Sequence, residues 1–443
     1  MNLLKALRLD QIKEHPVLSF VGSGGKTTAL FQLARQLLEQ KKCSIVYVTA
    51  TSHLGVSQIP LADHHIITTD SMTEIELPTN GVVLITGKIE QDKTKPITSE
   101  ALYWLRAKSK NENTPLLIEA DGSRQKSIKA PANHEPPIPE FTEIVVYVCG
   151  LSALSKPLTE ENVHRPEIFS QLTTLNNDEA ITANAIQKLL THPQGGLKNI
   201  PQQAKRVILL NQADTPGLQS MGGSIARELL QAYDAVLVGS LQNNHLHLVE
   251  KTAGIILAAG ISSRFGELKQ LLDWKGKAFV RHVAETALQA GLEPVVVVTG
   301  FRHADVESHL QDLPVQIIYN PNYESGQSTS IKAGLGALPK NTGAALFLLA
   351  DQPQIPEAVI RALVESHSTE RQAILAPLVL EERRANPVLF DRVTFSDLMQ
   401  LSGDIGGRGI FDKHKVSFLP WHDDILIFDV DKPEDYERLK NLE

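Results

Sequence analysis

The sequence predicts an α/β protein of two domains, each built on a mostly parallel sheet with helices on both faces. Short, almost continuous runs of Val, Ile and Leu alternate with helical patterns along all 443 residues, as is typical of parallel strands buried on both sides. A Gly-rich turn that follows a strand and opens a helix occurs twice, near residues 22 and 260. A polar stretch at 243–252 separates the halves, so we expect domains at 1–248 and 252–443.

The strand predictions rest on apolar runs bounded by turn residues. In the first half they are Val17–Val21, Ile45–Val48, Leu116–Ile118, Ile144–Val148, Val207–Leu210 and Val236–Val238, and in the second half Ile255–Leu257, Val295–Val298, Ala344–Leu349 and Ile425–Phe428.

Composition narrows the class of protein. The net charge of −8 and the pI near 6.0 argue against nucleic acid or an anionic membrane as a partner. Cys43 and Cys149 show no metal-binding or disulfide spacing, which favours a reducing compartment. The start of the chain lacks a signal peptide pattern, and no apolar stretch is long enough to span a membrane. We therefore expect a cytoplasmic enzyme.

The first Gly-rich turn has the chemistry of a phosphate loop. The segment 16–28 reads strand, glycine turn and amphipathic helix, and it ends in the Gly-Lys-Thr of the G-x-x-x-x-G-K-[ST] pattern, although Phe20 stands at the first glycine position. The ammonium of Lys26 can reach β- and γ-phosphates, and the Thr27 hydroxyl can bind Mg²⁺. This predicts a P-loop NTPase-like domain that binds GTP or ATP, with nucleotide contacts from Gly22, Gly24, Gly25, Lys26 and Thr27.

The residues after two other predicted strands of the first half are candidates for contacts with the bound nucleotide or its metal. The strand at 116–118 runs into Glu119 and Asp121, and Asp121 is the expected second metal ligand, although acids at strand ends are also common at plain turns. Asn211-Gln-Ala-Asp214 resembles the N-K-x-D element of guanine-specific P-loop proteins, with Gln212 replacing Lys. The resemblance implies that Asp214 accepts hydrogen bonds from guanine and that Asn211 braces the loop; a turn with Asx caps is the alternative.

The second Gly-rich turn, 257–269, reads Leu-Ala-Ala-Gly-Ile-Ser-Ser-Arg-Phe-Gly-Glu-Leu-Lys. Its small residues can let a triphosphate lie against backbone N–H groups, and Arg264 and Lys269 can neutralise the phosphates. Asp351 follows a later strand, and a carboxylate at that edge of the sheet can hold Mg²⁺. The predicted contacts are Leu257, Ala258, Ala259 and Gly260 for the nucleotide, Arg264, Lys269 and Asp351 for catalysis, and Asp351 for the metal.

This turn, with the later segments Asp351-Gln-Pro353, Asn386-Pro-Val-Leu-Phe390 and 401–409, resembles the nucleotidyltransferases of molybdenum cofactor over residues 252–443. Ala259 matches the cytidylyltransferase branch, whereas Ala385 departs from the family's Gly. The resemblance implies a nucleotidyltransferase Rossmann-like fold and transfer of CMP from CTP to the molybdopterin cofactor, with release of pyrophosphate. It also implies base or ribose contacts from Ser328 and Ser330 and substrate contacts from Asn386, Asp404 and Arg408. The alternatives are helix N-caps for the two serines, an ordinary turn for Asn386, and a helix C-cap and turn for 401–409.

The first half resembles the accessory proteins of selenium-dependent hydroxylases over residues 15–245. The residues that carry this resemblance are 119–124, 129–131, 134–136 and 161–166. It implies an accessory role in the maturation of molybdenum hydroxylases of the xanthine dehydrogenase type. His134 and Glu135 are candidates for metal binding or proton transfer, or for ordinary surface hydrogen bonds.

Two alternatives stay open at this point. A nucleotidyltransferase of the same fold can act on a sugar phosphate or polyol phosphate instead. A GTPase-like chaperone, whose second domain only binds the cofactor and hands it over, would release no pyrophosphate.

Overall fold

The computed structural model describes residues 1–68, 76–122, 124–261 and 268–441 and divides the chain into two compact units, Met1–Val249 and Glu250–Glu443. Within the described residues, no helix combines the length and the apolar character needed to cross a membrane.

The first unit contains strands and helices in alternation. Its helices are α1 (Leu3–Ala6), α2 (Lys26–Glu39), α3 (Ser99–Asn111), α4 (Pro166–Thr173), α5 (Ala183–Thr191) and α6 (Pro216–Leu229). Its strands are β1 (Val17–Gly22), β2 (Ile45–Ala50), β3 (Leu54–Gly55), β4 (His64–Ile67), β5 (Gly81–Thr86), β6 (Ile89–Glu90), β7 (Lys93–Thr94), β8 (Leu116–Glu119), β9 (Ile128–Lys129), β10 (Ile144–Gly150), β11 (Val163–His164), β12 (Lys205–Asn211), β13 (Ala235–Ser240) and β14 (His245–Val249).

A nine-stranded sheet forms the centre of this unit in the order β14-β13-β12-β10-β1-β8-β2-β5-β4. All neighbours are parallel except β14, which returns antiparallel to β13. Helix α2 packs on one face of the sheet through its buried residues Leu30, Leu33, Ala34 and Leu37, while α3, α5 and α6 cover the other face. Because β1 lies between β10 and β8, the turn after β1 is surrounded by the carboxyl ends of neighbouring parallel strands.

The second unit also alternates strands with helices. Its strands are β15 (Thr252–Ala258), β16 (Asp273–Trp274), β17 (Lys277–Ala278), β18 (Val295–Thr299), β19 (Gln316–Tyr319), β20 (Ala344–Leu349), β21 (Ile374–Val379), β22 (Arg383–Arg384), β23 (Val388–Asp391) and β24 (Val416–Trp421). Its helices are α7 (Phe279–Gln289), α8 (His303–Ser308), α9 (Gln327–Gly336), α10 (Glu357–Glu370), α11 (Phe395–Leu398) and α12 (Pro433–Lys440).

Its sheet has the order β19-β18-β15-β20-β23-β21-β22, with β24 paired to β21. The half that carries β15 is parallel, but β23 runs antiparallel between β20 and β21, so the sheet is mixed. Helices α7 and α10 pack on one face, and α9 and α11 pack on the other.

One predicted strand is wrong. Residues 425–428 lie in and just after a 3₁₀ turn, Asp424–Ile427, and form no strand. The Asp423 carboxylate accepts a hydrogen bond of 3.0 Å from the backbone N–H of Ile425 and so starts the turn. Leu426 is buried in the core, flanked by Ile425 and Ile427. A short apolar run therefore fills the core from a turn here, which apolar pattern alone does not distinguish from a strand.

We predict that Gly334→Ala destabilises the second unit. Helix α9 approaches the sheet so closely that a Cβ at Gly334 would lie 2.6 Å from Cγ2 of Ile255 and 3.2 Å from Cγ2 of Val298. Overpacking of this kind costs about 1–3 kcal/mol of unfolding free energy. Gly336→Ala in the same helix meets no atom within 4 Å. This control should be neutral or stabilising by up to about 1 kcal/mol, through helix propensity. Urea denaturation of both variants measures the difference, and equal stabilities would contradict the predicted close approach.

Candidate functional site

The glycine turn after β1 can be made only by residues without a side chain. Gly22, Gly24 and Gly25 have φ values of 86°, 84° and 121°, which disfavour other residues. A Cβ on Gly24 would lie 2.5 Å from the backbone nitrogen of Gly150, at the end of β10. The turn is therefore packed against neighbouring strand ends, and α2 begins directly after it.

Lys26 is the first residue of α2 and is only 3% exposed. Its ammonium donates to the Gly22 carbonyl at 2.7 Å and lies 3.2 Å from Oδ1 of Asp121. Asp121 also accepts from the Lys129 ammonium at 2.8 Å and from the Gly22 N–H at 3.1 Å. Two lysines and a backbone amide thus surround Asp121, and this explains how a carboxylate is tolerated at 2% exposure.

The metal role predicted for Asp121 does not agree with this geometry. Asp121 is occupied by the lysines and is not among the residues that line the cavity over the turn. The carboxylate next to the Thr27 hydroxyl is Glu119, whose Oε2 accepts from Thr27 at 2.7 Å. Burial raises the pKa of Glu119, and the Lys26 ammonium and the Thr27 hydrogen bond oppose that rise. Thr27 and Glu119 are therefore the pair that fits a Mg²⁺ ion, which needs few protein ligands beside phosphates and water.

The turn opens into a cavity of about 680 Å³. Its walls come from the turn and α2, from the region of β3, β6 and β7, from the residues after β8, and from the residues around β11. Residues of the described chain that line it include Gly24, Gly25, Lys26, Thr27, His53, Gln58, Asp92, Lys93, Glu119, Arg124, Lys126, Glu135, His164, Arg165 and Gln212.

Asn211 braces the turn as predicted. Its Nδ2 donates to the Gly24 carbonyl at 2.7 Å, and its Oδ1 accepts from the Leu241 N–H at 3.0 Å, so the end of β12 connects the glycine turn with the residue that follows β13. Gln212 lines the cavity, whereas Asp214 is exposed and is not among the lining residues. Of the guanine-type element, the structure brings Asn211 and Gln212 to the turn, and Asp214 stands outside the cavity wall.

Of the two candidates His134 and Glu135, only Glu135 lines the cavity. His134 is exposed and is absent from the cavity wall, while Glu135 lines the cavity and accepts two hydrogen bonds from the Arg165 guanidinium, at 2.6 and 3.2 Å. Two other histidines, His53 and His164, line the cavity. Burial, together with the nearby cations Arg165 and Lys129, lowers the pKa of His164 to about 4, so its ring is neutral at pH 7. The sequence signal for His164 was only its place beside Arg165 in the segment 161–166.

The second unit has a cavity of about 720 Å³ at the carboxyl end of β15. It gathers most residues predicted for the nucleotide and for catalysis. Among its lining residues are Leu257, Ala258, Ala259, Gly260, Lys269, Gln270, Tyr323, Gln327, Ser330, Asp351 and Asp404. Arg264 lies outside the described residues.

Two aspartates that the sequence analysis missed, Asp429 and Asp431, lie close to Lys269 and Asp351. The Lys269 ammonium lies 2.8 Å from Oδ1 of Asp431. Burial raises the pKa of Asp351, as do the neighbouring charges of Asp429 and Asp431, while Lys269 opposes the rise. The missed signal was Asp-Val-Asp at 429–431, directly after an apolar run, 162 residues from Lys269 in sequence.

A divalent cation fits this arrangement. Asp351 lines the cavity beside the glycine turn, burial and the charges of Asp429 and Asp431 raise its pKa, and a divalent cation bound there would offset both effects. Within the described residues, no group of three or more His, Cys, Asp or Glu side chains forms a closed metal site. An open site of this kind suits Mg²⁺, which keeps several water or phosphate ligands.

Gln270 is a third residue of this region that the sequence analysis missed. Its Nε2 donates to the Gly260 carbonyl at 3.1 Å and so stabilises the glycine turn. Among the described residues, which exclude 262–267, a Cβ on Gly260 would meet no atom within 4 Å, and Gly260 lines the cavity. The neighbouring wall is tight, because a Cβ on Gly300 would lie 2.8 Å from the Cβ of Ala259.

Of the residues predicted to contact the base or the substrate, some line the cavity and others lie outside its wall. Ser330 lines the cavity and accepts from Asn320 Nδ2 at 3.0 Å, but Ser328 is 1% exposed and lies outside the cavity wall. Asp404 lines the cavity and accepts from the Gln327 N–H at 3.3 Å, at the start of α9.

Asn386 and Arg408 do not line the cavity in the described structure. Asn386 donates to Oε1 of Gln352 at 3.3 Å, and Gln352 donates in turn to Oδ1 of Asp429 at 2.8 Å. Asn386 therefore supports Asp429 indirectly, because the buried Gln352 amide lies between them. Arg408 is exposed on a 3₁₀ turn, Gly407–Ile410.

Comparison with known families gives two separate matches. Residues 18–167 match the family model described as YqeC protein. Residues 254–417 match the family model described as MobA-like NTP transferase domain.

Three curated relatives illustrate these matches. The uncharacterized protein YqeC of Escherichia coli is 34% identical over 242 residues, which cover 52% of this chain and 90% of that protein. Nicotine blue oxidoreductase of Paenarthrobacter nicotinovorans is 32% identical over 197 residues, covering 42% of this chain and 95% of that protein. A probable molybdenum cofactor guanylyltransferase of Bacillus anthracis is 31% identical over 144 residues, covering 32% and 68%.

We predict that Asn211→Ala destabilises the first unit by about 1–3 kcal/mol, because the buried Gly24 carbonyl and Leu241 N–H lose their partner. Urea denaturation followed by circular dichroism measures this loss. Asn243→Ala, at an exposed position nearby, is the matched control and should leave the unfolding free energy unchanged within about 0.5 kcal/mol. A loss no greater than the control's would show that Asn211 does not brace the turn.

Proposed function

Because the chain belongs to the YqeC family in its first half and to the MobA-like NTP transferase family in its second, and is a nucleotidyltransferase, we propose that the second unit transfers CMP from CTP to molybdopterin-bound molybdenum cofactor. The product is the cytosine dinucleotide form of the cofactor, and pyrophosphate is released. The observation that carries the proposal is the meeting of the glycine turn, Lys269 and Asp351 in one cavity.

The proposed reaction uses a nucleophile that needs no strong base. A phosphate oxygen of the cofactor attacks the α-phosphorus of CTP and forms a new P–O bond. The bond from the α-phosphorus to the oxygen bridging the α- and β-phosphates breaks, and its electron pair leaves with pyrophosphate. In the proposed reaction Lys269, which lines the cavity, would neutralise the leaving group, and the phosphates would lie along the turn at Gly260. Mg²⁺ held by Asp351 supplies further charge neutralisation when it is bound.

The choice of CTP rests on the wall at Ala259. Its methyl group packs against the backbone of Gly300, so this side of the cavity has little room to expand for a larger base. The curated relatives of the second half include proteins named guanylyltransferases, and the donor panel described below therefore includes GTP.

For the first unit we propose nucleotide binding at the glycine turn, with Lys26 on the phosphates and Thr27 with Glu119 at Mg²⁺. The open cavity above the turn and the Asn211 brace support this assignment. The biological setting is the maturation of molybdenum hydroxylases of the xanthine dehydrogenase type, for which this unit would be the accessory.

The relative named nicotine blue oxidoreductase supplies a second candidate for the second unit, because it matches over 95% of its own length. A redox enzyme would consume a reduced cofactor and release no pyrophosphate. Lys269 and Asp351 favour the transferase, because a cation beside a metal-binding carboxylate matches a triphosphate.

The pyrophosphate assay described below also tests the two alternative functions that the sequence left open. A sugar phosphate or polyol phosphate would replace the molybdenum cofactor as acceptor while CTP still yielded pyrophosphate. A GTPase-like chaperone would bind the cofactor and yield none.

We predict that purified protein releases pyrophosphate from CTP, faster than from GTP or ATP, only when molybdenum cofactor is present. Asp351→Asn and Lys269→Ala should each lower turnover by about 10²–10³-fold, because each removes charge stabilisation of the transition state. Lys340→Ala, at an exposed position outside the cavity, is the control and should retain activity.

The same assay separates the alternatives. Equal or faster turnover with GTP would reject the cytidylyl assignment. Release of pyrophosphate with a sugar phosphate but not with the cofactor would change the acceptor, and absence of release with every pair would reject the transferase reaction.

We further predict a modest preference of the first unit for GTP over ATP, lost in Asp214→Ala. Asp214 is exposed beside Gln212 and so is accessible to a guanine ring that enters from solvent. The measurement is displacement of a labelled GTP analogue by unlabelled GTP or ATP, in the full chain and in its Lys26→Met variant. Binding that is lost in Lys26→Met is binding to the first unit. Equal displacement by ATP, or a preference unchanged by Asp214→Ala, would end the guanine assignment.

A further inference from the structure

The lining of the cavity in the first unit has a net positive charge, and its cations lie on several segments of the chain. The whole chain has a net charge of −8. Among the described residues that line this cavity, however, lysines and arginines outnumber acids. The cations are Lys26, Lys93, Arg124, Lys126 and Arg165, and the acids are Asp92, Glu119 and Glu135. A positive cavity in an acidic protein attracts anionic ligands.

Arg124 and Lys126 follow β8 on a segment fixed to the glycine turn. Ser23 Oγ donates to the Ser127 carbonyl at 3.0 Å, and the Lys129 ammonium donates to the Gly122 carbonyl at 2.6 Å. Arg124 and Gln125 have positive φ values of 47° and 61°. Such a conformation is costly for residues other than glycine and is typically retained where function requires it.

Arg165 is positioned by a chain of ion pairs that begins at the phosphate-loop lysine. After the Lys26–Asp121 and Asp121–Lys129 pairs, Lys129 lies 3.0 Å from Glu135, and Glu135 lies 2.6 Å from the Arg165 guanidinium. Arg165, at the start of α4, also has a positive φ of 66°. The acids thus hold the buried cations in place, and the outer cations face the cavity.

Arg124, Lys126 and Arg165 each keep N–H groups that can donate hydrogen bonds to a ligand. Arg124 has no ion-pair partner among the described residues. Lys126 uses one donor on the Glu161 carbonyl, at 2.9 Å, and an ammonium has three. Arg165 gives three N–H groups of its guanidinium, two to Glu135 and one to the Ala130 carbonyl, and a guanidinium has five.

We propose that this cavity binds two phosphate-bearing ligands together: a nucleotide at Lys26 and Thr27, and the phosphate group of a second small-molecule substrate at Arg124, Lys126 and Arg165. The proposal rests on nucleotide binding by the first unit. Mg²⁺, Lys26 and the start of α2 neutralise most of the charge of a triphosphate. Three cations on two other segments are then left for a second anion, and arginine matches phosphate oxygens with paired hydrogen bonds.

The test uses the full chain and inorganic phosphate as the probe. Titration calorimetry measures phosphate binding to protein saturated with Mg²⁺ and a non-hydrolysable GTP analogue, so that the nucleotide position is already filled. We expect saturable binding, weakened about tenfold by Arg124→Gln and by Lys126→Gln, because each removes a charge-assisted hydrogen bond. Arg227→Gln, exposed on α6 and outside the cavity, is the matched control and should leave phosphate affinity unchanged.

Two results would overturn the proposal: phosphate that competes with the analogue, which would indicate one shared phosphate position, or phosphate binding unaffected by both cavity variants. Failure of the analogue to bind would instead reject the nucleotide assignment, and the two-ligand proposal with it. CTP-dependent pyrophosphate release by the second unit should stay unchanged in Arg124→Gln, so failure there is distinguishable from failure here.

Discussion

In each unit a lysine beside a glycine turn is held by a carboxylate, and the arrangement of both sites depends on these two ion pairs. Lys26 pairs with Asp121 at 3.2 Å, and Lys269 pairs with Asp431 at 2.8 Å. Without a carboxylate, an ammonium in a partly desolvated cavity would be costly. The pairs also set each ammonium near the position where a phosphate would lie, so binding would exchange one anionic partner for another.

Parallel sheets explain why the partners meet. The turn after the first strand of each unit lies beside the carboxyl ends of the neighbouring strands, and residues that follow those strands reach the same edge. In the first unit β8 supplies Glu119 and the approach to Asp121. In the second unit β20 leads to Asp351, beside β15 and its glycine turn. The chemistry of both sites therefore follows from strand order more than from any single loop.

The sequence could predict what is encoded locally. The glycine turns, Lys26, Lys269 and Asp351 each belong to short patterns, and the Asn211 brace followed from a four-residue element. Partners distant in sequence were not predictable in this way, because the Asp431 pair with Lys269 spans 162 residues and needs the fold to bring it together. The 3₁₀ turn at 424–427 was mistaken for a strand because a short buried turn and a short buried strand have the same apolar composition.

The central claim is that the lysine of the second unit exchanges its carboxylate partner for a phosphate. A crystal structure of the chain with CTP and Mg²⁺ tests it most directly. The account predicts that the Lys269 ammonium leaves Asp431 and lies within hydrogen-bonding distance of a phosphate oxygen, while Asp351 coordinates the metal and the triphosphate lies along the turn at Gly260. A structure in which Lys269 stays paired with Asp431 and the triphosphate lies away from that turn would contradict it.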